Sequence, residues 1–257
     1  VVLLEENRIG LGSSGFSSGW ISDDPGISFQ EVEDALGLRA VRHGWQSWRR
    51  AGLDFIALLK RLGLKCRFEQ HGSLLTAVTP EQAIRLKKEQ KIRRDAGLDA
   101  PVVNARAVAA EAALSAVSAL KTRDGATVDP YRAAIGLAEA AVERGAMLFE
   151  RSPAKRIKFS RKWVDVKSPS GTIRGDQVVV ATGVPTMALF KTLARHFWYR
   201  SSFLVLTERV PAKIRQQLGK RQMIVRDSAV PPHMIRWVED EHLLISGADS
   251  DQVLPRL

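Results

Sequence analysis

The sequence is poor in cysteine and contains no long apolar run. A single cysteine, Cys66, in 257 residues excludes an internal disulfide and a multi-cysteine zinc site, and it favours a reducing compartment. No stretch reaches the ~18 to 20 continuous apolar residues of a membrane-spanning helix. The longest candidate, residues 102–120, contains Asn104, Arg106 and Glu111, and we interpret it as an Ala-rich helix of a soluble domain. The chain opens on Val-Val-Leu-Leu-Glu without Met or a signal sequence, so we expect a cut end.

Acidic residues are fewer than basic ones. The 28 Asp and Glu residues against 39 Lys and Arg residues give a net charge of +11. Such an excess of positive charge is compatible with binding to nucleic acid, to an anionic membrane surface or to an acidic ligand, and it does not discriminate among these partners. The most basic segment is a predicted helix with six Lys and Arg residues between Arg85 and Arg94, which we interpret as a solvated face. Hydrophobic residues at 45% and charged residues at 26% are typical of a globular protein of about one or two domains.

Turn residues and apolar patterns predict alternating helices and strands. Residues 1–5 are typical of a buried parallel strand. The Gly-, Ser- and Pro-rich segment 9–28 predicts a loop in which Asp23 and Asp24 form turns rather than a calcium site. The predicted helices are 28–37 with a Ser28 and Glu31 capping box, 53–62, one beginning at Thr79-Pro80, and 129–144. The predicted strands are 72–78, 146–149, a hairpin at 163–174, 176–183, 202–207, 223–226, 234–238 and 243–246.

Gly10, Gly12 and Gly15 match the G-x-G-x-x-G spacing of a dinucleotide-binding turn. That turn joins a strand to a helix whose N-terminus faces the pyrophosphate, whereas the segment after Gly15 cannot form a regular helix. We therefore interpret these glycines as a loop other than the phosphate turn. Residues 1–5 instead fit the second strand of such a unit, because that strand ends in an acid that binds the ribose. For this segment alone, a chance apolar strand ending in Glu5 is the alternative.

Several segments carry a family resemblance in the family's own order. They are residues 1–19 with Glu5, the helix that begins at Asp129-Pro130-Tyr131, the following segment 145–154, Val178-Val-Val-Ala-Thr-Gly183, Thr207-Glu208 with Pro211, and His233-Met-Ile-Arg236 with residues 243–247. Together they resemble the FAD-dependent amino acid and amine oxidoreductases, the D-amino acid oxidase- and dehydrogenase-like family, over nearly the whole chain. The resemblance implies an enzyme that oxidises the C–N bond of an amino acid or amine by hydride transfer to flavin.

The resemblance also assigns the cofactor site. The acid after the first strand would bind the ribose, the glycine loop would lie near the pyrophosphate and flavin, and two further segments would meet the cofactor through their backbone. The implied FAD-binding residues are Glu5, Ser14, Gly15, Ala154, Thr182 and Gly183. Phe16 stands where some relatives carry a residue bonded covalently to the flavin. Phenylalanine cannot form that bond, so non-covalent FAD is implied.

The substrate side is implied to lie on the later strands. Arg236 is suited to a bidentate clamp on a substrate carboxylate, and His233 is a second candidate. A solvated strand face is the alternative for Arg236. No catalytic side chain and no metal ligand are assigned, because hydride transfer to flavin mainly requires that the substrate be oriented.

We predict an α/β fold in which an FAD-binding Rossmann-like layer is interleaved with a substrate domain of mixed or antiparallel sheet, truncated at both ends. The predicted FAD-binding parts are residues 1–38 and 125–195, and the predicted substrate-domain parts are 39–124 and 196–257. We expect a cytoplasmic protein, or one peripheral to the inner face of a membrane, with a small amino acid or amine substrate and no nucleic-acid partner. The alternative function is a basic non-enzymatic module that binds nucleic acid or an anionic membrane surface.

Overall fold

The computed structural model describes most of the chain. The described residues are 1–98, 100–112, 114–183, 189–190, 192, 196, 201–217, 223–229, 232–239 and 241–250. Within these ranges no helix is both long enough and apolar enough to cross a bilayer. The same ranges contain no group of three or more His, Cys, Asp or Glu side chains suited to a metal ion.

Helices and short strands alternate along the chain. The helices are α1 Phe29–Leu36, α2 Leu38–Leu62, α3 Pro80–Asp95, α4 Ala105–Ala112, α5 Pro130–Glu143 and α6 Ala212–Gln217. The strands are β1 Val2–Leu4, β2 Trp20–Ile21, β3 Glu69–Ala77, β4 Val102–Asn104, β5 Ser118–Thr127, β6 Met147–Phe149, β7 Arg156–Phe159, β8 Val164–Ser168, β9 Gly171–Gly175, β10 Ser201–Leu206, β11 Ile224–Arg226, β12 Met234–Val238 and β13 His242–Ser250.

Three helices begin where the local sequence predicts. The side chain of Ser28 accepts a hydrogen bond from the backbone of the first turn of α1. Thr79 and Gln82 form a reciprocal capping box at α3, and the side chain of Asp129 caps α5. Each cap satisfies a backbone N–H group that the helix itself leaves unpaired, which is why these starts can be predicted from a few residues.

An eight-stranded mixed sheet forms the centre of the described structure. Its strand order is β10-β13-β12-β11-β3-β5-β2, and β4 also pairs with β5. The β11–β3 ladder is parallel, whereas the ladders on either side of it, β11–β12 and β3–β5, are antiparallel. The sheet therefore joins an early segment of the chain to the late segment that contains β10 to β13.

Helices cover both faces of this sheet. On one face, α4 contributes Val108 to a buried cluster with Leu74 of β3 and Val225 of β11. On the other face, Leu86 of α3 packs with Ala77 of β3, because alternate strand residues point to opposite faces. Helices α1 and α2 pack beside α3, with the rings of Phe29 and Trp45 edge to face at 5.1 Å between centroids.

A second layer is built from β1, β6 and α5. Strands β1 and β6 pair in parallel, from Val2 opposite Met147 to Leu4 opposite Phe149. A separate antiparallel sheet contains β7, β8 and β9. Because β1 and β6 lie on either side of the segment that builds half of the large sheet, the two layers are interleaved along the chain. The predicted α/β class is confirmed.

The first predicted domain boundary, at residue 38, stays a prediction. Strand β2 pairs with β5 in the large sheet, with Trp20 opposite Thr127. Helix α1 packs on α2 and α3, with Phe29 buried in that contact. These contacts favour a boundary near Gly19, before the chain enters the large sheet.

Two secondary-structure predictions are wrong. Residues 176–183 are not a strand: Val179 is 87% exposed and Val180 is 42% exposed, and no described strand pairs with them. An apolar run needs a neighbouring ladder to become a strand. The expected helix over 102–120 is instead β4, the short helix α4 and the start of β5. The first residues are Val102, Val103 and Asn104, which pair with β5, and β-branched residues such as valine favour strands.

Candidate cofactor and substrate site

Glu5 is fixed at the carboxyl end of β1. Its backbone N–H donates to Phe149 O at 2.9 Å, and its carbonyl accepts from Ser152 N at 2.8 Å. The carboxylate Oε1 accepts a hydrogen bond from Asn7 N at 2.9 Å. A carboxylate offers about four lone-pair sites, so the same group can accept further hydrogen bonds from a ligand's hydroxyls.

The glycine loop after Glu5 is closed by backbone contacts. Gly10 has φ +78° and lies against the ring of Tyr131, where a Cβ would come within 2.7 Å of Cδ2. A Cβ at Gly15 would overlap the carbonyl oxygen of Gly10, whereas the Cβ position of Gly12 is open. The loop therefore folds back on itself at Gly15 and leaves no room there for a side chain.

The structure brings this loop to the small-residue turn at Thr182 and Gly183. Gly183 has φ +69°, and its Cβ position is 3.3 Å from Ser13 Oγ. Both turn residues are exposed, as are Ser14 and Phe16 of the loop. Two backbone turns that are far apart in the sequence thus meet at one accessible surface.

Ala154 lies on the connection between β6 and β7, next to the Glu5 edge. Ser152, two residues before it, donates its backbone N–H to the carbonyl of Glu5, and Arg151 N donates to Asn7 O at 2.8 Å. Ala154 itself is half-buried. Glu5 and the segment that contains Ala154 are therefore neighbours at the end of β1.

A cavity of about 320 Å³ lies where the glycine loop continues into β2. Its lining combines hydroxyl groups, one guanidinium and apolar side chains: Ser18, Trp20, Ser202, Leu204, Arg226, Pro232, Met234 and Ser246. Ser18 is three residues beyond Gly15, so the cavity adjoins the loop that meets Gly183. Its volume is at the small end of ligand pockets, roughly 300 to 1,000 Å³.

The two predicted substrate residues lie beside the cavity. Arg236 is on β12, and His233 immediately precedes β12. Arg236 is buried at 8% exposure, and its Nε donates to Ser18 O at 2.8 Å while Nη1 donates to Trp237 O at 3.3 Å. Burial lowers the pKa of Arg236, against the opposing charges of Glu69 and Asp129. The residues of the described chain that line the cavity do not include Arg236. Its described hydrogen bonds go to the protein's own carbonyls, and its role toward a substrate stays a prediction.

His233 pairs with Asp227. Its Nδ1 lies 2.8 Å from Asp227 Oδ2, and its backbone N–H donates to Asp227 Oδ1 at 2.9 Å. Burial alone would raise the pKa of Asp227, and the hydrogen bonds from His233 overcome that effect and hold the pKa below its ordinary value. The pair closes the turn that leads into β12. Its role toward a substrate also stays a prediction.

A buried cluster of charged side chains, which the sequence does not predict, lies behind the cavity. Asp24, at 4% exposure, lies between Arg93 of α3 and Arg226 of β11. Arg93 also contacts Glu89 at 2.8 Å, and Glu89 accepts from Phe29 N at the start of α1 at 2.8 Å. The exposed basic residues of α3 are solvated as predicted, but Arg93 is not. Charged residues are rarely buried in proteins, and no sequence pattern near Asp24, Arg93 or Arg226 predicts that these three are.

Comparison with known proteins gives concordant results. The model of a family described as FAD dependent oxidoreductase matches residues 1–256. Gamma-glutamylputrescine oxidoreductase of Escherichia coli strain K12 is 24% identical over 250 residues, which cover 96% of this chain and 58% of that protein. The chain thus spans 58% of the length of this curated relative.

Solved structures share the fold. Glycine oxidase from Geobacillus kaustophilus superposes with a TM-score of 0.71 at 22% identity, covering 97% of this chain and 65% of that one. L-proline dehydrogenase from P. horikoshii superposes with a TM-score of 0.68 at 16% identity, covering 100% of this chain and 66% of that one.

Proposed function

This chain belongs to the FAD-dependent oxidoreductase family, and on that basis we propose that it is part of an enzyme that oxidises the C–N bond of an amino acid or amine. The observation that carries the proposal is the match of the family model to residues 1–256. The alternative of a basic module that binds nucleic acid is not supported by this membership. The net charge was its only basis.

The described residues fit the cofactor that the family name implies. We propose that the Glu5 carboxylate accepts hydrogen bonds from the FAD ribose, because it is held at the end of a parallel strand. Ser14 with Gly15, and Thr182 with Gly183, are proposed to face the pyrophosphate and flavin, with Gly15 and Gly183 placing no side chain on the backbone at these turns. Ala154 is proposed to meet the adenine through its main chain. Phe16 supports non-covalent binding.

Bound FAD would accept the hydride equivalent from the carbon that carries the substrate nitrogen. This chain's own contribution is to bind and orient. The cavity between Ser18 and β10 to β13 is the proposed substrate side, because the loop that lines it leads directly from Gly15. Arg236 donates to Ser18 O and Gly19 packs tightly against Val128 and Pro130, so the loop is held in place relative to the sheet.

Names of similar proteins support the substrate class. Gamma-glutamylputrescine, glycine and L-proline, named in the relative and in two structural neighbours, all contain an amine carbon–nitrogen single bond. We extend this shared chemistry, and no individual substrate, to the present chain.

The proposal is tested on the protein expressed from its complete gene. We expect a yellow protein with about one FAD per chain, released on denaturation as free flavin. Anaerobic addition of single amino acids and amines should bleach the flavin for at least one member of the panel. A folded protein that neither carries nor takes up FAD would contradict the proposal.

The Glu5 assignment has its own test. Glu5→Gln removes the negative charge but keeps the shape, so FAD affinity should fall by about tenfold through the loss of a charge-assisted hydrogen bond. Glu6→Gln is the matched control, because Glu6 is the exposed next residue. Fluorescence titration of the apoprotein with FAD measures both. Equal affinities for the two variants would exclude Glu5 from the ribose site.

Attachment to a membrane periphery is a further proposal. The outward residues of α3 include exposed Arg85, Lys87, Lys88, Lys91 and Arg94, a charge pattern that anionic lipid attracts. Co-sedimentation with anionic but not neutral vesicles, lost at high salt, would support it, and equal recovery with both would contradict it.

A further inference from the structure

Strands β7, β8 and β9 form a small sheet in which positive charge is concentrated. Residues 155–175, which we call the basic sheet, contain seven Lys and Arg residues and one acidic residue, Asp165. They carry +6 of the chain's net charge of +11. Helix α3 has six basic residues but also three acidic ones, for a net charge of +3 over Pro80–Asp95. The basic sheet therefore carries twice the net charge of this helix.

The strand register places the charged side chains on one face of the basic sheet. Residues opposed across neighbouring strands lie on the same face. The charged opposed pairs are Arg156 with Lys167, Lys158 with Asp165, and Asp165 with Arg174. All four basic side chains are exposed. Four intervening residues point to the opposite face and are buried or half-buried: Ile157, Val164, Val166 and Ile173. The charged face is therefore turned to solvent.

Two aromatic side chains flank the turn between β7 and β8. Phe159 is 63% exposed and Trp163 is 37% exposed, and Ser160 N closes the turn by donating to Trp163 O at 2.9 Å. Arg161 and Lys162 form the turn itself and are exposed. The turn thus presents two positive charges between two aromatic rings.

Asp165 and Arg174 form a salt bridge on the charged face. Arg174 Nε donates to Asp165 Oδ1 at 2.7 Å, and Nη2 donates to Oδ2 at 3.1 Å. These hydrogen bonds hold the pKa of Asp165 below its ordinary value. The guanidinium carbon also lies 4.7 Å from the centre of the Trp163 ring, within cation–π distance. The acidic residue of the basic sheet is thus paired, and its partner holds the tryptophan ring beside the charged face.

We propose that the basic sheet docks on an anionic lipid bilayer, with Phe159 and Trp163 entering the headgroup region. This inference rests on the membrane attachment proposed above and assigns the contact to a surface other than α3. Clusters of about four to eight Lys and Arg residues are attracted to the negative charge of an anionic leaflet. Aromatic rings are enriched at the interface between membrane and water, where their apolar bodies leave water.

The aromatic residues favour lipid over the other anionic partners. Phe159 opposes Val164 and so points away from the charged face. A nucleic acid strand that followed the charged face would not stack its bases on this ring. A bilayer can meet the charged face and the aromatic turn together, because the leaflet offers negative headgroups above an apolar layer. An acidic protein would match the charges but gives no reason for a large exposed ring at the turn.

Vesicle binding tests the inference on the protein expressed from its complete gene. Co-sedimentation compares vesicles of phosphatidylglycerol and phosphatidylcholine with vesicles of phosphatidylcholine alone. We expect binding to the anionic vesicles to be at least about tenfold tighter. Equal binding to both would overturn this inference together with the membrane attachment. FAD content and flavin bleaching of the same preparation test the oxidoreductase function separately.

Charge variants locate the contact. Lys158→Gln combined with Lys167→Gln removes two charges from the exposed face and should weaken binding to anionic vesicles by about tenfold or more. Arg39→Gln combined with Arg42→Gln is the matched control, because it removes the same charge from exposed positions of α2. Its affinity should stay within about twofold of the wild type. Equal losses in the two double variants would mean that net charge alone attracts the protein, and would overturn the inference.

A third double variant separates the basic sheet from α3. Lys87→Gln combined with Lys88→Gln removes two exposed charges from that helix. A loss of vesicle binding confined to this variant would assign the membrane contact to α3 and overturn the role of the basic sheet, while leaving the membrane attachment itself in place.

Fluorescence quenching tests the entry of the aromatic turn into the bilayer. Lipids brominated near the headgroup end of the acyl chain quench tryptophans that reach that depth. Anionic vesicles that contain them should quench part of the wild-type fluorescence, and Trp163→Phe should lose most of that quenching while it still binds. Phe159→Ala, at a position that is 63% exposed, should weaken binding by about tenfold. Unchanged quenching in Trp163→Phe, or unchanged affinity in Phe159→Ala, would overturn the insertion.

Discussion

Asp24→Ala is expected to lower the free energy of unfolding by about 3 to 5 kcal/mol, since removing one member of a buried ion pair leaves its partners buried and uncompensated. Asp24 is 4% exposed, and both of its partners, Arg93 and Arg226, are buried to 3% exposure. Asp24 also fixes its own turn by accepting from Gly26 N at 2.7 Å. Chemical denaturation monitored by tryptophan fluorescence measures the loss.

The matched control is Asp54→Ala. Asp54 pairs with Arg50 one helical turn away at 3.0 Å, but both side chains are largely exposed, at 61% and 77%. Such pairs contribute about 0.3 to 0.5 kcal/mol. If the two variants lost similar amounts of stability, the buried cluster would contribute no more than a surface pair.

The same cluster gives a pH dependence with a definite sign. Burial alone would raise the pKa of Asp24, but Arg93, Arg226 and the Gly26 N–H group outweigh burial and hold the pKa below its ordinary value. A lowered pKa in the folded state stabilises the protein above the unfolded carboxyl pKa of about 3.9. That contribution is lost as the pH falls through the folded value. The stability difference between wild type and Asp24→Asn should therefore narrow in acid and stay constant from about pH 5 to 7.

Gly15→Ala is expected to reduce FAD affinity by more than about a hundredfold. A Cβ at this position would overlap the carbonyl oxygen of Gly10, a backbone atom that no change of rotamer can move aside. Opening the loop would displace Ser13 from the turn at Gly183, and backbone distortion of this kind costs about 1 to 3 kcal/mol before any lost ligand contact is counted.

Gly12→Ala is the control within the same loop. No atom lies within 4 Å of its Cβ position, so FAD affinity should stay within about twofold of the wild type. Both affinities come from titration of the apoprotein, with unfolding midpoints to show that each variant is folded. A loss in Gly12→Ala equal to that in Gly15→Ala would mean that the loop acts through general flexibility rather than through the contact at Gly15.

Features with a local cause were predictable from the sequence. The caps at Ser28, Thr79 and Asp129 involve partners within three residues, so the sequence shows donor and acceptor together. The positions of β1 and β6, though not their pairing, follow from two short apolar segments that are each followed by acidic or loop residues. The same holds for β11 to β13, whose short apolar runs are separated by turns.

Strand β5 was missed because its stability comes from distant partners. Its sequence contains Lys121, Arg123, Asp124 and Gly125, which locally indicate a loop. In the structure, Lys121 pairs with Glu111 at 2.6 Å, and Asp124 pairs with Arg49 at 2.5 Å. These contacts, with pairing to β3 along its whole length, outweigh low strand propensity.

The candidate site was predictable only in part for a similar reason. Glu5, Gly15 and Gly183 belong to turns whose acidic and glycine residues are typical of a cofactor site. Their placement could be expected from the resemblance to the FAD-dependent oxidoreductases. Arg226 gives no such signal, because an arginine at the end of a short strand is ordinarily solvated. Its burial depends on Asp24 and Trp20, from the other end of the chain.

The contact between Arg236 and Ser18 joins residues 218 positions apart, and it has a consequence for the order of folding. Contacts of such wide separation must close a long loop of chain before they contribute any free energy. Arg236 reaches Ser18 only after β12 has joined the sheet through β11 and β3. Substitutions at this contact should therefore accelerate unfolding and leave the refolding rate nearly unchanged. The ordered cavity wall would be the last part of the molecule to form and the first to open.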